Sequence, residues 1–171
     1  TNKNIQCLLS AIKLLADDHD LHLEVIGDGP ERSRLEGFSM DLGISSRISF
    51  SGQIDQAEIA EALRRADIFV LASFSEGRPN VLVEAMAAGM PIIASNIDGV
   101  RELINEGVNG LLFDPKDPTQ LEKQIRCLCD TPGLKARLAY QARRYVIENG
   151  LSWTEAAMRY ASLYQSTVHS H

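Results

Sequence analysis

Short apolar runs of strand length alternate with segments of helical period along most of the chain. Three of these runs, "LHLEVI", "IFVLAS" and "PIIAS", contain almost no polar alternation, which is typical of parallel strands covered on both faces. The pattern predicts strands at 21–26, 47–50, 68–72, 91–95 and 110–113. It predicts helices at 4–17, 30–42, 55–65, 80–88, 99–105 and 118–130. This alternation indicates an α/β fold with a doubly wound parallel sheet.

The strands stop after Asp130, and the chain closes with two further predicted helices at 134–148 and 152–165. No internal repeat or low-complexity linker interrupts the pattern. We therefore expect one domain, with the sheet and its helices in residues 1–130 and C-terminal helices of the same domain in 131–167. Residues 168–171 are taken as a tail.

Composition narrows the range of functions. The 171 residues are 44% hydrophobic and 23% charged, which is enough apolar material for a core. The formal charge of −6, without a Lys/Arg cluster, argues against a nucleic-acid or membrane-surface binder, so phosphate binding has to be local. No run approaches the length of about 20 apolar residues that a membrane span needs, and no signal peptide precedes the first helix. A cytoplasmic protein with reduced cysteines is expected.

Ligands of open parallel sheets bind beyond the carboxyl ends of the strands, so the loops there are the first candidates for a site. The first such loop, "GDGPE", suggests a dinucleotide-binding turn. However, Arg32 stands where the third glycine of that fingerprint is required, and Asp28 would repel a pyrophosphate. A tight turn with Pro30 at the start of a helix explains the loop better.

The loop "SFSEGRPN" runs into a predicted helix, and Gly77 and Pro79 shape its path. At such a helix start the backbone N–H groups, here of Asn80, Val81 and Leu82, have no acceptor within the helix. They form an anion site that favours phosphate without a basic patch. The alternative is an ordinary capped helix.

Glu84 is the only charged residue between Val81 and Ala88. A carboxylate on an apolar helix surface loses hydration, which costs several kcal/mol, unless strong donors replace the water. A vicinal diol such as a ribose offers two hydroxyl donors to the two carboxylate oxygens. The alternative is a structural glutamate bonded to a backbone N–H or to Arg78.

Glu76 lies eight positions before Glu84, in the loop that precedes the helix. Favourable interaction with the helix dipole is one explanation for it. The other is that it accepts hydrogen bonds from the hydroxyls of a second sugar. Two carboxylates, each facing a diol, with a phosphate-binding helix end between them, suggest a sugar nucleotide as ligand.

The segment from Glu76 through Glu84 to Pro91 resembles the E-x7-E signature of retaining glycosyltransferases of family 4, also called glycosyl transferases group 1, which have the GT-B fold. Further segments follow in the order of that family: "LLSAIKLL", "LEVIGDGPERSRLE", "LGISSRISFSGQI", "RADIFVLAS", "DGVRELINEGVNGLLFDPKDPTQLEKQI" and "LSWTEAAMRYASLY". The resemblance covers nearly the whole chain and corresponds to the C-terminal, donor-binding half, a Rossmann-like domain whose first strand is missing here.

The resemblance implies a role for each candidate. Glu84 would bind the ribose diol, and Glu76 would hold hydroxyls of the transferred hexose. Lys3 looks like the lysine of the family that pairs with the diphosphate, so Glu76 and Lys3 are the candidate catalytic residues. The donor-binding candidates are Gly77, the amides of Asn80, Val81 and Leu82, and, for the base, the loop formed by Gly52, Gln53 and Ile54. A solvated lysine and a simple strand-to-helix turn are the alternatives for Lys3 and Gly52.

The function that the resemblance implies is transfer of a hexose from a UDP, GDP or ADP sugar to a polysaccharide or glycolipid, without a metal. The acceptor would bind the absent N-terminal domain, and any membrane association would run through that domain. The isolated chain is then expected to be inactive. A 2-epimerase of UDP-N-acetylglucosamine and a non-catalytic module that binds nucleotide sugars are the alternatives.

Two departures from the family pattern stand out. The strand and the arginine that usually precede the lysine are absent, which predicts weaker phosphate binding. Asp98-Gly99 replaces the commoner Gly-Gly, which puts close backbone approach to the sugar at that loop in doubt.

Overall fold

The computed structural model describes residues 2–77 and 79–151. These residues contain five strands: β1 Leu23–Ile26, β2 Ile48–Gly52, β3 Phe69–Leu71, β4 Ile92–Ser95 and β5 Leu111–Phe113. The helices are α1 Ile5–Leu15, α2 Arg32–Asp41, α3 Gln56–Arg65, α4 Asn80–Ala87, α5 Asp98–Arg101, α6 Pro118–Asp130 and α7 Leu134–Glu148, with a short 3-10 turn at Ser45–Arg47. The alternation predicted from the sequence is confirmed. The helix predicted at 152–165 lies outside the described residues.

All pairs among the described strands are parallel, as the apolar runs predict, but these strands form two sheets. β1 pairs with β2, and β3, β4 and β5 lie in that order in the second sheet. Within residues 2–77 and 79–151 no strand pairing joins β1 to β3. β4 has a neighbour on each side and is buried along its whole length, whereas β1 and most of β3 are only partly buried.

Helix α1 packs beneath both sheets. Its apolar face, which includes Leu8 and Leu15, belongs to a core cluster with β4, β5 and α6. Leu23 of β1 and Val70 of β3 pack against that same cluster. Side-chain packing on α1 therefore links the two sheets.

A second core cluster fixes helix α4, which carries the candidate site. Leu82, Ala85 and Met86 of α4 are fully buried against β4 and α7. At about 25 cal/mol per Å² of buried apolar surface, three such side chains contribute several kcal/mol, so the position of α4 is well determined. The faces of α4 that point away from this cluster are available for contacts with a ligand.

Helix α5 is shorter than the helix predicted at 99–105, because Asn109 closes a turn beyond it. The Asn109 amide donates to the carbonyl of Leu103 at 3.0 Å and its side-chain oxygen accepts from the N–H of Asn105 at 2.7 Å. The Ile104 N–H still donates to the Val100 carbonyl at 2.9 Å, but the N–H of Asn105 donates to the Asn109 side chain instead of a helical carbonyl, and the helix ends at Arg101 with a turn after it. The short helix predicted near 99–105 is therefore present, but it spans only Asp98–Arg101.

Candidate functional site

The loop after β3 is joined to the N-terminal segment of the chain. The N–H of Phe74 donates to the Asn2 carbonyl at 2.7 Å, and the Asn2 side-chain amide donates to the Ser75 carbonyl, also at 2.7 Å. These two bonds bring Lys3 to Glu76 across 73 positions of sequence. The structure therefore places together the two residues that the sequence selected as candidates for catalysis.

The carboxylate of Glu76 is held by two donors. Lys3 Nζ lies 2.7 Å from Glu76 Oε1, and the hydroxyl of Ser73 donates to the same oxygen at 2.6 Å. The Glu76 side chain is 16% exposed, whereas that of Lys3 is 63% exposed. Burial acts to raise the pKa of Glu76, but the hydrogen bonds from Lys3 and Ser73 and the Lys3 charge outweigh it and hold the pKa below its usual value. Glu76 is thus an oriented, ionised acceptor at neutral pH.

Sequence reasoning missed Ser73. Its side chain is fully buried, yet its hydroxyl reaches the carboxylate three residues later. A serine at the end of a strand is common in turns, so the spacing from Ser73 to Glu76 carried no distinguishing signal.

Replacing Lys3 with methionine is expected to raise the pKa of Glu76. Burial raises this pKa, and in the variant only the hydrogen bond from Ser73 remains to lower it. A lowered pKa of a carboxyl group stabilises the fold above its unfolded-state pKa of about 4.3. Lys3→Met should therefore melt at a lower temperature than the wild type at pH 7, and the two should converge as the pH falls through the lowered pKa of Glu76. Carbon-13 NMR titration of the glutamate carboxyls and melting curves measure both effects.

The matched control is Lys123→Met, since Lys123 is an exposed lysine on α6 without an ion pair to any described residue. It should leave the Glu76 titration unchanged. An unchanged Glu76 pKa in Lys3→Met would contradict the ion pair.

Helix α4 begins without a side-chain cap. Among residues 2–77 and 79–151 the N–H groups of Asn80 and Val81 have no hydrogen-bond acceptor, and both residues are exposed. Leu82 differs, because its N–H donates to the Pro79 carbonyl at 3.0 Å and the residue is fully buried. The expectation that the Leu82 amide is free is therefore wrong. Gly77, before the helix, is exposed.

Glu84 is partly buried on α4, and its carboxylate receives no hydrogen bond or ion pair from the described part of the chain. Its backbone carbonyl accepts the N–H of Ala88 at 2.9 Å, as in any helix. Arg78, the alternative partner considered from the sequence, is not among the described residues. Because Glu84 follows Asn80 by four positions, the side chains of these two residues lie on the same face of α4.

The candidate base loop follows β2. Gly52 is buried with φ of +71°, a conformation that favours glycine, and its carbonyl accepts the N–H of Gly27 at 2.7 Å. Arg32 lies beside it and donates to the Phe50 carbonyl at 2.8 Å. The other two candidates in this loop remain accessible, since Gln53 is exposed and Ile54 is partly buried. No hydrogen bond between described residues joins this loop to Lys3 or Glu76.

Two further properties concern metals and membranes. The described residues contain no group of three or more His, Cys, Asp or Glu side chains that could hold a metal ion. No helix in 2–77 or 79–151 is long and apolar enough to span a bilayer.

Comparison with known proteins decides the family. The family model for glycosyl transferases group 1 matches residues 1–145. The chain belongs to this family. Its curated relatives include the D-inositol 3-phosphate glycosyltransferase of Streptomyces avermitilis, 30% identical over 175 residues, with 96% of this chain aligned to 37% of that protein.

Solved structures support the same group 1 assignment and the Rossmann-like fold. Sucrose-phosphate synthase from Thermosynechococcus elongatus superposes with a TM-score of 0.85 at 29% identity, over 99% of this chain and 43% of the other. HepE of Anabaena, solved in complex with UDP-glucose, gives a TM-score of 0.78 at 26% identity, over 84% of this chain and 40% of the other. This group 1 chain therefore spans about two fifths of the length of the proteins it matches.

Proposed function

We propose that the chain is the donor-binding part of a retaining glycosyltransferase, which holds a nucleotide-diphospho-sugar while its hexose is transferred to an acceptor. The observation that carries the proposal is Glu84. It is a partly buried carboxylate without a donor among the described residues. It lies one helical turn from the amides of Asn80 and Val81, which have no acceptor in 2–77 or 79–151. A ribose and the diphosphate bonded to it would supply those donors and acceptors together.

The site has to stabilise the leaving group of the transfer reaction. Transfer breaks the anomeric C–O bond, so negative charge develops on the departing diphosphate. The N–H groups of Asn80 and Val81 and the ammonium of Lys3 are fixed donors for that charge, and such preorganised donors act strongly where water is excluded. The reaction can proceed on these groups without a metal, and attack from the face of the leaving group retains the configuration.

Lys3 can serve two partners at once. An ammonium has three donors, and one of them contacts Glu76. Because most of the Lys3 side chain is exposed, a diphosphate can approach its other donors without breaking the pair. Glu76 would meanwhile accept hydroxyls of the hexose with its remaining lone pairs, and its charge would favour the sugar as positive charge develops there.

The proposal includes a second part of the protein. The relatives are more than twice as long as this chain, which supports an N-terminal domain that binds the acceptor, whether a polysaccharide or a glycolipid. A further strand between β1 and β3, from the proposed preceding part of the protein, would join the two sheets into one. The edge of β1 that faces away from β2 and the edge of β3 that faces away from β4 have no partner among the described strands. On this proposal the chain alone binds donor but does not catalyse transfer.

Nitrogen-15 chemical-shift titration with UDP, GDP and ADP tests donor binding and identifies the base. We expect shifts at Asn80, Val81 and Glu84 with every accepted nucleotide, and shifts at Gln53 and Ile54 that depend on the base. Glucose and mannose conjugates should add shifts at Glu76 and Gly77. Shifts scattered over the surface, or none up to millimolar nucleotide, would contradict the proposal.

A further inference from the structure

Gly99, the second residue of α5, contacts the loop that carries Glu76. It is buried, and a methyl group at this position would lie 1.8 Å from the Gly77 carbonyl oxygen and 2.5 Å from that of Glu76. Carbon and oxygen atoms do not approach so closely, so only the hydrogen of glycine fits between the two backbones.

Backbone conformation does not explain this glycine. Gly52 has a positive φ that favours glycine, whereas Gly99 is not among the residues with positive φ. An alanine at position 99 would therefore be compatible with the local helix geometry and would fail only through its contact with the Glu76–Gly77 peptide. The close approach marks a contact between two specific segments.

Helix α5, which carries Gly99, is held in place by the residues on either side of that glycine. Val100 is fully buried in the second core cluster, and its N–H donates to the Ile97 carbonyl at 3.1 Å. Upstream, Asn96 is bonded through its N–H to the Phe113 carbonyl of β5 at 2.8 Å. Gly99 is thus attached on both sides to buried structure.

On the other side of the loop, Lys3 and Ser73 hold the Glu76 carboxylate within 2.7 Å. The backbone of residues 76–77 therefore rests on Gly99 while the side chain is held by two donors. We infer that Gly99 is a positioning residue, which sets the distance of Glu76 from Lys3 and Ser73 and so from the hexose. This inference rests on the proposed function for the role of Glu76.

Asp98 does not disturb the arrangement. Its side chain is 93% exposed and pairs with Arg101, away from the buried face of Gly99. The close approach at Gly99 is to the Glu76–Gly77 peptide, so the effect of Asp98-Gly99 in place of Gly-Gly on approach to the sugar stays a prediction.

The test compares Gly99→Ala with Gly37→Ala in the full chain. Gly37 is the matched control, since it lies in helix α2 with no atom within 4 Å of an added methyl and without a positive φ. Carbon-13 titration of the Glu76 carboxyl is the first readout. We expect its pKa to rise in Gly99→Ala, because the displaced loop weakens the bonds from Lys3 and Ser73, and to stay unchanged in Gly37→Ala.

Calorimetry with UDP-glucose and UDP is the second readout. Gly99→Ala should weaken UDP-glucose about tenfold, the loss of one charged hydrogen bond, and leave UDP within about twofold. If the wild type binds neither ligand, the proposed function fails, yet the Glu76 titration still decides the role of Gly99. A folded Gly99→Ala with the wild-type Glu76 pKa would overturn the inference.

Gly99→Ala can also fail to fold, so a measurement on the wild type accompanies it. Nitrogen-15 relaxation should give Gly77 an order parameter similar to that of Gly99, about 0.85 for rigid backbone. A value below about 0.6 for Gly77 would mean that the loop moves independently of α5, and Gly99 would then position nothing.

Discussion

Glu84→Ala is expected to weaken nucleotide binding about a hundredfold while leaving the stability of the fold unchanged or higher. The carboxylate would lose two hydrogen bonds from a ribose. At the lower end of the range for a charged partner, about 1.5 kcal/mol each, the two contribute about 3 kcal/mol, and 2.7 kcal/mol corresponds to a hundredfold change. Stability should not fall, because no described group donates to Glu84 and its partial burial costs hydration. Calorimetric titration with UDP and thermal melting measure the two quantities.

The 2′-deoxynucleotide separates ribose binding from any indirect effect. The wild type should bind 2′-deoxy-UDP more weakly than UDP, whereas Glu84→Ala should not distinguish the two. Glu61→Ala is the matched control, since Glu61 is an exposed carboxylate on α3 that pairs only at the surface with Arg64. A destabilised Glu84→Ala that still binds UDP with wild-type affinity would show that the carboxylate is structural.

Phe113→Ala is expected to lower the free energy of unfolding by about 3–5 kcal/mol, the usual cost of deleting a large buried aromatic side chain. Phe113 is 1% exposed at the end of β5 and packs in the cluster that α1 and α6 share. Domains are generally stable by only about 5–15 kcal/mol, so the variant should lie near the limit of folding. Urea denaturation followed by circular dichroism measures the change.

Tyr140→Ala provides the aromatic control. Tyr140 is 66% exposed on α7, and its replacement should change the free energy of unfolding by less than about 0.5 kcal/mol. Similar losses in the two variants would mean that burial at Phe113 does not determine stability.

Most of the fold could be predicted because its signals are local. The period of apolar residues switches at every boundary between helix and strand, and the observed elements match those segments with one exception. The exception, α5, ends early because Asn109 supplies side-chain bonds that compete with the helix, and nothing in the apolar period of 99–105 reports that competition.

In the candidate site, too, some residues could be predicted from the sequence and others could not. Glu84 could be selected from the sequence because a single charge in an apolar helix is conspicuous, and Glu76 because it lies just before that helix. Ser73 could not, since its role depends on a three-dimensional approach rather than on residue type. The Leu82 amide was assigned wrongly because helix starts differ in how early their first internal hydrogen bond forms.

The position of α1 beneath both sheets has a consequence for specificity. Among the described residues, no backbone ladder fixes β1 relative to β3, so within this chain the loop at Gln53 and the loop at Glu76 are related through side chains on α1, such as Leu8 and Leu15. Hydrogen-bonded strands keep a nearly constant spacing, whereas packed side chains can differ by a methylene group at a time. The strand proposed between β1 and β3 would therefore fix the separation of the two loops more tightly than α1 does here, and with it the length of nucleotide sugar that the proposed site accepts.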